Sequence, residues 1–489
     1  MHEAVADLLR RLPQLRVTAP SLVAQVTRQQ PQLNALQLGE QLKVGAVLTW
    51  SLRPAGDSIH LRAELFRIPG GDLLWSVRYA RPAAEIATLQ GRIAGMIADS
   101  LRLQLTGVER ATMERQPTSN AAAYDLYLRG RRFENRAVPL GARDAKRALD
   151  SMLFYAQAAI AKDSSFAAAY SLLSSYYFIS AFRGWRTPFA AYVDSAIGYG
   201  RRALANDSTL GEAWVDLISQ SIYLNDDWEA ARDAASRGLR LSGYDPYVLQ
   251  YVAIYTGEVE GRIDSAVSLI RKSVELEPGI QNLNTYGDML MRARRYDSAA
   301  AALRRAVEFD PSVPGPRRRL VLCYEKLGKY QEAIEERRTL GDLAGAAAFE
   351  KALAGGGAAG YERERLAELR RRADSMAAAP PSPGELDQVP PFREGRIAVL
   401  YAQLGDWTRA MDWVLKERER RPKRFRLYVT NPDFAGLRND RRFMVLVRQE
   451  GLENLVGSGR GEVGSAHRPL PTTHYPLSTS CYTPAGTPA

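Results

Sequence analysis

The stretch that decides the fold is Ile280–Pro311, IQNLNTYGDMLMRARRYDSAAAALRRAVEFDP. Its large and small packing residues recur at intervals of three and four, which predicts one face of a first helix: Leu283, Tyr286, Gly287 and Leu290. After a turn at Arg295–Asp297, a second helix would present Ala299, Leu303 and Ala306. Asp310-Pro311 ends this helix, because proline cannot continue it. The stretch is therefore predicted to form a helical hairpin.

The same hairpin pattern recurs along the middle of the chain. Small residues mark equivalent positions of the second helix: Ala196, Ala231, Ala266, Ala299, Ala333 and Ala410. The first four intervals between them are 35, 35, 33 and 34 residues. A small residue there lets two helices approach closely, and one hairpin cannot bury its apolar face alone. The sequence thus predicts a stack of hairpins that share a core.

The repeat resembles the tetratricopeptide repeat in five units: 167–208, 211–246, 247–278, 280–311 and 314–340. A degenerate first unit fits 121–164, and a last unit fits 391–420. Ser164 and Ser208 stand where this family prefers proline, so the pattern is incomplete at those two positions. The resemblance implies a mainly α fold, a right-handed superhelix with an inner groove that binds a protein or peptide.

Residues 1–107 follow a different pattern and predict a small α/β domain at the N-terminus. Three segments have strand character and are separated by Gly- and Pro-containing turns, so we expect an antiparallel meander: Ala46–Leu52, Ile59–Ile68 and Leu74–Tyr79. Helical spacing is present in three further segments: Glu3–Leu12, Leu33–Leu42 and Ala83–Leu105. Leu15–Thr18 is predicted as a short additional strand.

Gly39–Tyr79 resembles the TolB-like amino-terminal domain that precedes tetratricopeptide repeats in bacterial signalling proteins. The residues that carry this resemblance are Leu38–Leu42, Val44–Leu48, Arg53–Asp57 and Leu74–Tyr79. Asn120–Gly130 resembles the junction of that family with its repeats, and Asn431–Phe443 resembles its C-terminal cap. The resemblance implies a non-enzymatic protein–protein interaction scaffold in bacterial signalling.

The TolB-like family normally opens with an apolar strand and an acidic loop, whereas this chain begins inside the helix that follows them. We therefore expect the domain to lack its first strand, which would leave a sheet edge open to oligomerisation. In that family such regions usually follow a Ser/Thr kinase, a nucleotide cyclase or a winged-helix DNA-binding domain. The alternative function is thus the regulatory or sensory portion of such a protein, with its effector domain upstream.

Five segments are expected along the chain: 1–107 as the TolB-like domain, 120–340 as the repeats, 341–390 as a linker with one helix, 391–456 as the last hairpin and C-terminal cap, and 457–489 as a disordered tail. The linker rests on helix breakers at 354–360 and 377–391, which frame a predicted helix Tyr361–Met376. The tail is rich in Gly, Ser, Pro and Thr, and buries too little apolar area to become ordered.

The motifs of common enzymes are missing from the sequence. It contains no Walker-type phosphate loop, no H-E-x-x-H and no kinase motif set. Gly459–Gly464 matches G-x-G-x-x-G but lies in the predicted tail, without a preceding strand. Metal-ligand spacing is lacking among His2, His60, His467, His474, Cys323 and Cys481. We predict no catalytic residue, cofactor or metal, and interpret Asp226-Asp227 as helix capping.

The formal net charge of +11 is compatible with nucleic acid or acidic partners. Arginine is abundant throughout, however, which favours solvated helix faces, so a nucleic-acid partner is not favoured. No stretch reaches the roughly 18 apolar residues of a membrane helix, and the N-terminus lacks the pattern of a signal peptide. The expected compartment is the cytoplasm, or the far side of a membrane if the chain belongs to a longer anchored protein.

The positions of the first helices that face the groove in tetratricopeptide repeats predict seven partner-binding residues: Tyr251, Tyr255, Asn284, Asp288, Arg292, Arg318 and Lys326. The three basic residues among them would receive an acidic peptide or a C-terminal carboxylate through charge-assisted hydrogen bonds. The alternative interpretation is that these charges are only solvated. Trp185, in an inserted loop, is a further aromatic candidate for a sticky patch.

Overall fold

A computed structural model of the chain describes residues 2–55, 58–82, 86–107, 110, 117–137, 142–182, 189–379 and 393–456, except residues 11, 13, 16 and 19. The described chain is mainly α-helical, with a small antiparallel sheet near its N-terminus. The predicted fold class, a stack of helical hairpins behind a small α/β unit, is confirmed.

The N-terminal unit contains four helices and three strands within its described residues: α1 His2–Arg10, α2 Pro20–Gln29, α3 Ala35–Gln41, β1 Ala46–Ala55, β2 Ser58–Arg67, β3 Leu73–Pro82 and α4 Ile86–Ser100. The strands pair in the order β1-β2-β3, all antiparallel, with Leu61 opposite both Leu52 and Tyr79. Gly70 and Gly71 take positive φ angles of 117° and 76° in the turn before β3. The predicted meander is therefore confirmed.

The core of this unit lies between one face of the sheet and two helices. Leu61 and Leu65 of β2 are buried against Ile93 and Ile97 of α4, with Val5 of α1 in the same cluster. This arrangement follows from the alternation along β2, which places every second side chain on the covered face.

One sequence prediction in this unit is wrong, and one helix has no counterpart among the predictions. The described residues of the segment Leu15–Thr18 form no strand, although Leu15 and Val17 still pack against the core. The segment Pro20–Gln29 forms helix α2, which sequence periodicity did not indicate. Its proline occupies the first position of the helix, where a missing amide N–H costs nothing.

Six hairpins follow in the described part of the stack: α5 Ala121–Ala137 with α6 Ala142–Lys162, α7 Ala167–Phe182 with α8 Phe189–Asn206, α9 Gly211–Tyr223 with α10 Trp228–Ser242, α11 Pro246–Ile254 with α12 Ile263–Leu276, α13 Ile280–Arg292 with α14 Tyr296–Phe309, and α15 Pro314–Lys326 with α16 Tyr330–Thr339. Helix α11 continues in a π-helical turn, Tyr255–Val259. Each helix packs against its hairpin partner and against the next hairpin.

Small residues set the spacing within the hairpins, as predicted. The alanines Ala196, Ala231, Ala266, Ala299, Ala333 and Ala410 are fully buried. At Gly287, a Cβ atom would lie only 2.6 Å from Cγ of Leu303, so α13 and α14 touch at that point. Cys323 is a buried free thiol in the same core, which fits its interpretation as a small apolar residue.

The predicted linker is wrong, because residues 343–378 extend the stack. Helix α17, Leu343–Ala378, is broken at Gly357 (φ 56°, ψ −148°), where the chain folds back on itself. The rings of Phe349 and Tyr361, one on each arm, lie 4.6 Å apart and are both buried. The breaker predicted over 354–360 therefore acts at one glycine, and the arm before it, which was assigned to the linker, belongs to the stack.

The C-terminal region completes the described chain with α18 Arg393–Gln403, α19 Trp407–Arg420, a 3₁₀ turn Pro422–Arg424, α20 Phe425–Thr430, a 3₁₀ helix Pro432–Asn439, α21 Arg441–Gln449 and α22 Glu453–Val456. We refer to Pro422–Val456 as the cap. Three sequence predictions lie wholly or partly outside the described residues: the disordered tail 457–489, which includes Gly459–Gly464 and Cys481, the residue Trp185, and residues 380–391 of the breaker predicted over 377–391.

Candidate functional site

Three of the predicted partner-binding residues, Asn284, Asp288 and Arg292 of α13, are engaged in a network of ion pairs and hydrogen bonds within the chain. Arg292 Nη2 lies 3.0 Å from Glu258 Oε1, and its Nε lies 3.1 Å from Asp288 Oδ2. Arg319 of the next hairpin donates to Asp288 at 3.3 Å and to Asn284 Oδ1 at 3.2 Å. The guanidinium of Arg292 is thus already neutralised by two carboxylates.

The pKa values of these carboxyl groups reflect the network. Burial raises the pKa of Asp288, but the attraction of Arg292 and Arg319 outweighs it and holds the pKa below its usual value. For Glu258, burial outweighs the attraction of Arg292 and raises the pKa. The network is therefore a structural bridge between neighbouring hairpins, and it leaves Arg292 little capacity for an external anion.

The prediction that Tyr255 faces the groove is wrong. The helix widens into the π-helical turn at this residue, so the spacing on which the prediction rested does not hold. Tyr255 is fully buried in a cluster with Trp214 and Val252, and its hydroxyl accepts from Arg232 Nε at 3.4 Å. Tyr251 is only partly buried, and desolvation raises its pKa to about 12.

Arg318 and Lys326 remain available on helix α15. Both side chains are exposed, and neither forms an ion pair or hydrogen bond with any residue that the structure describes. Leu322 lies between them, one helical turn from each, and is 42% exposed. The two cations and the leucine form a stripe of basic and apolar character on one helix face, which we call the α15 stripe.

The cap turns back onto hairpins much earlier in the chain. Arg421 Nη2 lies 2.7 Å from Asp226 Oδ2, and Arg424 Nη1 lies 3.0 Å from Asp226 Oδ1. Trp228 Nε1 donates to the carbonyl oxygen of Lys423 at 2.9 Å, across 195 residues of chain. The interpretation of Asp226-Asp227 as helix capping is right for Asp227, whose side chain accepts a hydrogen bond from the Ala230 amide. It is wrong for Asp226, which is buried and binds the two arginines of the cap.

A second set of contacts fixes α20 against the end of helix α11. Arg426 Nε donates to the carbonyl oxygen of Val259 at 2.9 Å, and the Thr430 hydroxyl donates to the carbonyl oxygen of Glu258. These carbonyl groups belong to the π-helical turn, where the ordinary helical hydrogen bonds are interrupted. The stack therefore curves enough for its last helices to close over one side of the groove.

A cavity of about 430 Å³ lies between the cap and the stack, and we call it the cap cavity. Its apolar lining includes Leu322, Met376, Val399, Leu400, Leu427 and Phe434, and its charged lining consists of Glu258, Arg292, Arg372, Arg396, Glu417 and Arg424. Sequence reasoning missed this site because its walls come from segments up to 176 residues apart and from the region taken for a linker.

Two arginines of the cap cavity have no acidic partner among the residues that the structure describes. Arg292 pairs with Glu258, and Arg424 pairs with Asp226 and with Glu417 at 3.4 Å. Arg372 and Arg396 are exposed and form no ion pair with the described residues. The cavity therefore carries an excess of positive charge beside an apolar wall.

Glu417 is the buried acid of this region. The Tyr428 hydroxyl donates a hydrogen bond to Glu417, and Arg424 lies beside the Glu417 carboxyl group. Burial nevertheless raises the pKa of Glu417 to about 7, because desolvation outweighs the attraction of Arg424.

Other kinds of site find no support in the described part of the chain. No group of three or more His, Cys, Asp or Glu residues there is arranged to hold a metal ion. None of the helices in the described ranges is both long and apolar enough to cross a membrane.

No family model matches the chain. A curated relative, the putative adenylate cyclase 3 of Rhizobium meliloti (strain 1021), is 27% identical over 173 residues, which are 35% of this chain and 28% of that protein. The chain therefore spans less than a third of the length of the relative it matches.

Several solved structures share the helical-repeat character. The thermophilic TPR protein TTC0263 of Thermus thermophilus is 15% identical and covers 40% of this chain and 98% of its own, with a TM-score of 0.32. YrrB, a TPR protein with an unusual peptide-binding site, is 16% identical and covers 40% and 97%, with a TM-score of 0.29. The human IFIT1 dimer with PPP-AAAA is 14% identical and covers 77% and 85%, with a TM-score of 0.33. Superpositions this loose carry no argument about function.

Proposed function

We propose that the chain is a non-enzymatic protein-interaction scaffold of bacterial signalling, acting in the cytoplasm, and that it binds an acidic peptide or protein segment at the α15 stripe. The observation that carries the proposal is the contrast between two groups of predicted groove residues. Asn284, Asp288 and Arg292 are engaged with one another and with Arg319, whereas Arg318 and Lys326 are free of described partners.

The chemistry of the stripe suits an acidic segment with apolar residues. Arg318 and Lys326 can donate charge-assisted hydrogen bonds to carboxylates without first breaking an internal ion pair. Leu322, between them, offers an apolar contact that is already exposed, so that binding would cover it. Tyr251, Asn284 and Asp288 then contribute to the shape of the groove, and a rearrangement would be needed before Arg292 could contact the partner.

The test uses fluorescence anisotropy of labelled acidic peptides with the full chain. Reversing both charges, Arg318→Glu with Lys326→Glu, is expected to weaken binding by about 10- to 100-fold, since each charge-assisted bond contributes about 1.5–3 kcal/mol before solvent screening reduces it. The matched control is Lys272→Glu with Arg305→Glu on exposed faces of the second helices, which makes the same change of net charge. Equal weakening in the control would show that only overall charge matters.

A second candidate function is the regulatory portion of a larger signalling enzyme. It is favoured by the 27% identity to part of a putative adenylate cyclase, of which the matched residues make up 28%. Sequencing the gene upstream of the codon for Met1 tests it. An in-frame kinase, cyclase or DNA-binding domain would establish this role, and a stop codon without such a domain would exclude it.

We further propose that the N-terminal unit, 1–107, is a TolB-like domain and that it supports oligomerisation. The support is a three-stranded meander in the described residues whose outer strands, β1 and β3, each pair with only one neighbour. Unpaired strand edges favour association. Sedimentation of the full chain at increasing concentration tests this, and a monomer throughout would refute it.

A further inference from the structure

We propose that the cap cavity binds a small molecule with an apolar body and a single carboxylate head. This site shares Leu322 with the α15 stripe but neither of its two cations, and its occupant is a free small molecule. The inference rests on the residues that line the cavity, on the two arginines left without partners, and on the way in which the cap closes it.

The charged lining provides a place for one anionic group. Arg292 and Arg424 already bind carboxylates of the chain, so they contribute walls and little free charge. Arg372, on the second arm of α17, and Arg396, on α18, both line the cavity and are free of described partners. Two guanidinium groups are well suited to a planar carboxylate, which can accept hydrogen bonds on each of its oxygens.

The apolar lining provides a place for the body of the ligand. Its apolar residues are Leu322 of α15, Val399 and Leu400 of α18, and Leu427 and Phe434 of the cap. Leu322 is 42% exposed, an unusual exposure for a large apolar side chain that lines a cavity beside buried residues. A volume of about 430 Å³ lies within the range of about 300–1,000 Å³ that is typical of small-molecule sites.

The closure of the cavity favours a small molecule over an extended peptide. The hydrogen bonds of Arg426 to Val259 and of Thr430 to Glu258 seal the side where α20 meets helix α11. Arg372 and Arg396 line the cavity and are exposed, so a molecule with one charged end can pair with them while its body contacts the apolar lining.

The experiment is isothermal titration calorimetry of the full chain with decanoate, decanol and acetate. Decanoate is expected to bind at one site per chain, and decanol and acetate at least about tenfold more weakly, because each lacks one of the two recognised parts. The double variant Arg372→Met with Arg396→Met should weaken decanoate binding by about tenfold or more while keeping the apolar stems. Both residues are exposed, so folding should be preserved.

Two further variants separate this site from other surfaces. Arg305→Met, at an exposed arginine on α14, is the matched control and should leave the affinity for decanoate unchanged. Leu322→Asp should weaken decanoate binding, since it places a carboxylate on the apolar wall. The proposal is overturned if decanoate shows no saturable heat, if decanol binds equally well, or if the double variant binds like the native chain. Loss of decanoate binding in Arg318→Glu with Lys326→Glu would also overturn it, because the ligand would then bind at the α15 stripe.

Discussion

The contact between Asp226 and the two arginines of the cap should decide whether the cap stays closed. The perturbation is Asp226→Asn, which keeps the shape of the side chain and suits the positive φ of 51° at this position. It removes the only negative charge within 3.0 Å of both Arg421 and Arg424 among the described residues. Arg424 keeps Glu417 at 3.4 Å, and Arg421 keeps its hydrogen bond to the carbonyl oxygen of Leu224 at 3.2 Å.

The expected magnitude follows from the burial of the cluster. The side chains of Asp226, Arg421 and Arg424 are 5%, 14% and 11% exposed, so solvent screens the loss only weakly. Removing one partner of a buried ion pair costs about 3–5 kcal/mol. Because Arg424 keeps its contact with Glu417, we expect the free energy of cap opening to fall by an amount near the lower limit, about 3 kcal/mol. Every 1.4 kcal/mol is tenfold, so the population of the open cap should rise by about 100-fold.

Hydrogen exchange measured by mass spectrometry is the assay. Amides of α20 should exchange about 100-fold faster in the variant, whereas amides of α6, in the first hairpin of the stack, should keep their rates. The control is Asp227→Asn, because Asp227 only caps α10 through Ala230 and asparagine caps equally well. Unchanged exchange of α20 in Asp226→Asn, or equal acceleration in Asp227→Asn, would refute the reasoning.

Two other predictions concern stability. The pKa of Glu417 is raised from 4.5 to about 7, so its contribution to stability is fully present below about pH 4.5 and is lost as the pH rises through 7. The melting temperature of the native chain should therefore fall between pH 5 and 8, and Glu417→Gln should reduce this fall by the equivalent of up to about 3 kcal/mol in the free energy of unfolding. Parallel curves of melting temperature against pH for the two proteins would contradict this. Gly287→Ala should destabilise the chain by about 1–3 kcal/mol in urea unfolding, since the new methyl group meets Leu303. Gly315→Ala, where a Cβ meets no atom within 4 Å, should be neutral or stabilising, and equal destabilisation there would contradict the packing argument.

The hairpin stack could be predicted from the sequence because its determinants are local. Ala299 and Leu303 lie one turn apart, and Gly287 meets Leu303 from the preceding helix of the same hairpin. Spacing along the chain therefore translates directly into packing. The strands of the N-terminal unit were predictable for the same reason, since alternation and short turns define a meander.

The errors arise where one residue changes the geometry of a helix. The π-helical turn at Tyr255 ends the regular spacing, so a residue assigned to the groove lies in the core. Gly357 alone reverses α17, although the surrounding glycines and alanines remain helical. Helix propensity is summed over a stretch of about 15 residues, so it does not distinguish a glycine that breaks a helix from one that remains helical.

The cap shows why the candidate site could be predicted only in part. Asp226 and Arg424 are 198 residues apart, and no local pattern links them. Whether they meet depends on the curvature that accumulates over the intervening hairpins, which small differences in each interface determine. The same curvature leaves Arg318 and Lys326 exposed and brings Arg372 and Arg396 to the cap cavity. The charges available to a ligand are therefore set by the closure of the whole stack. Opening the cap with Asp226→Asn should weaken decanoate binding, measured by calorimetry. The same variant should bind an acidic peptide as the native chain does, measured by fluorescence anisotropy.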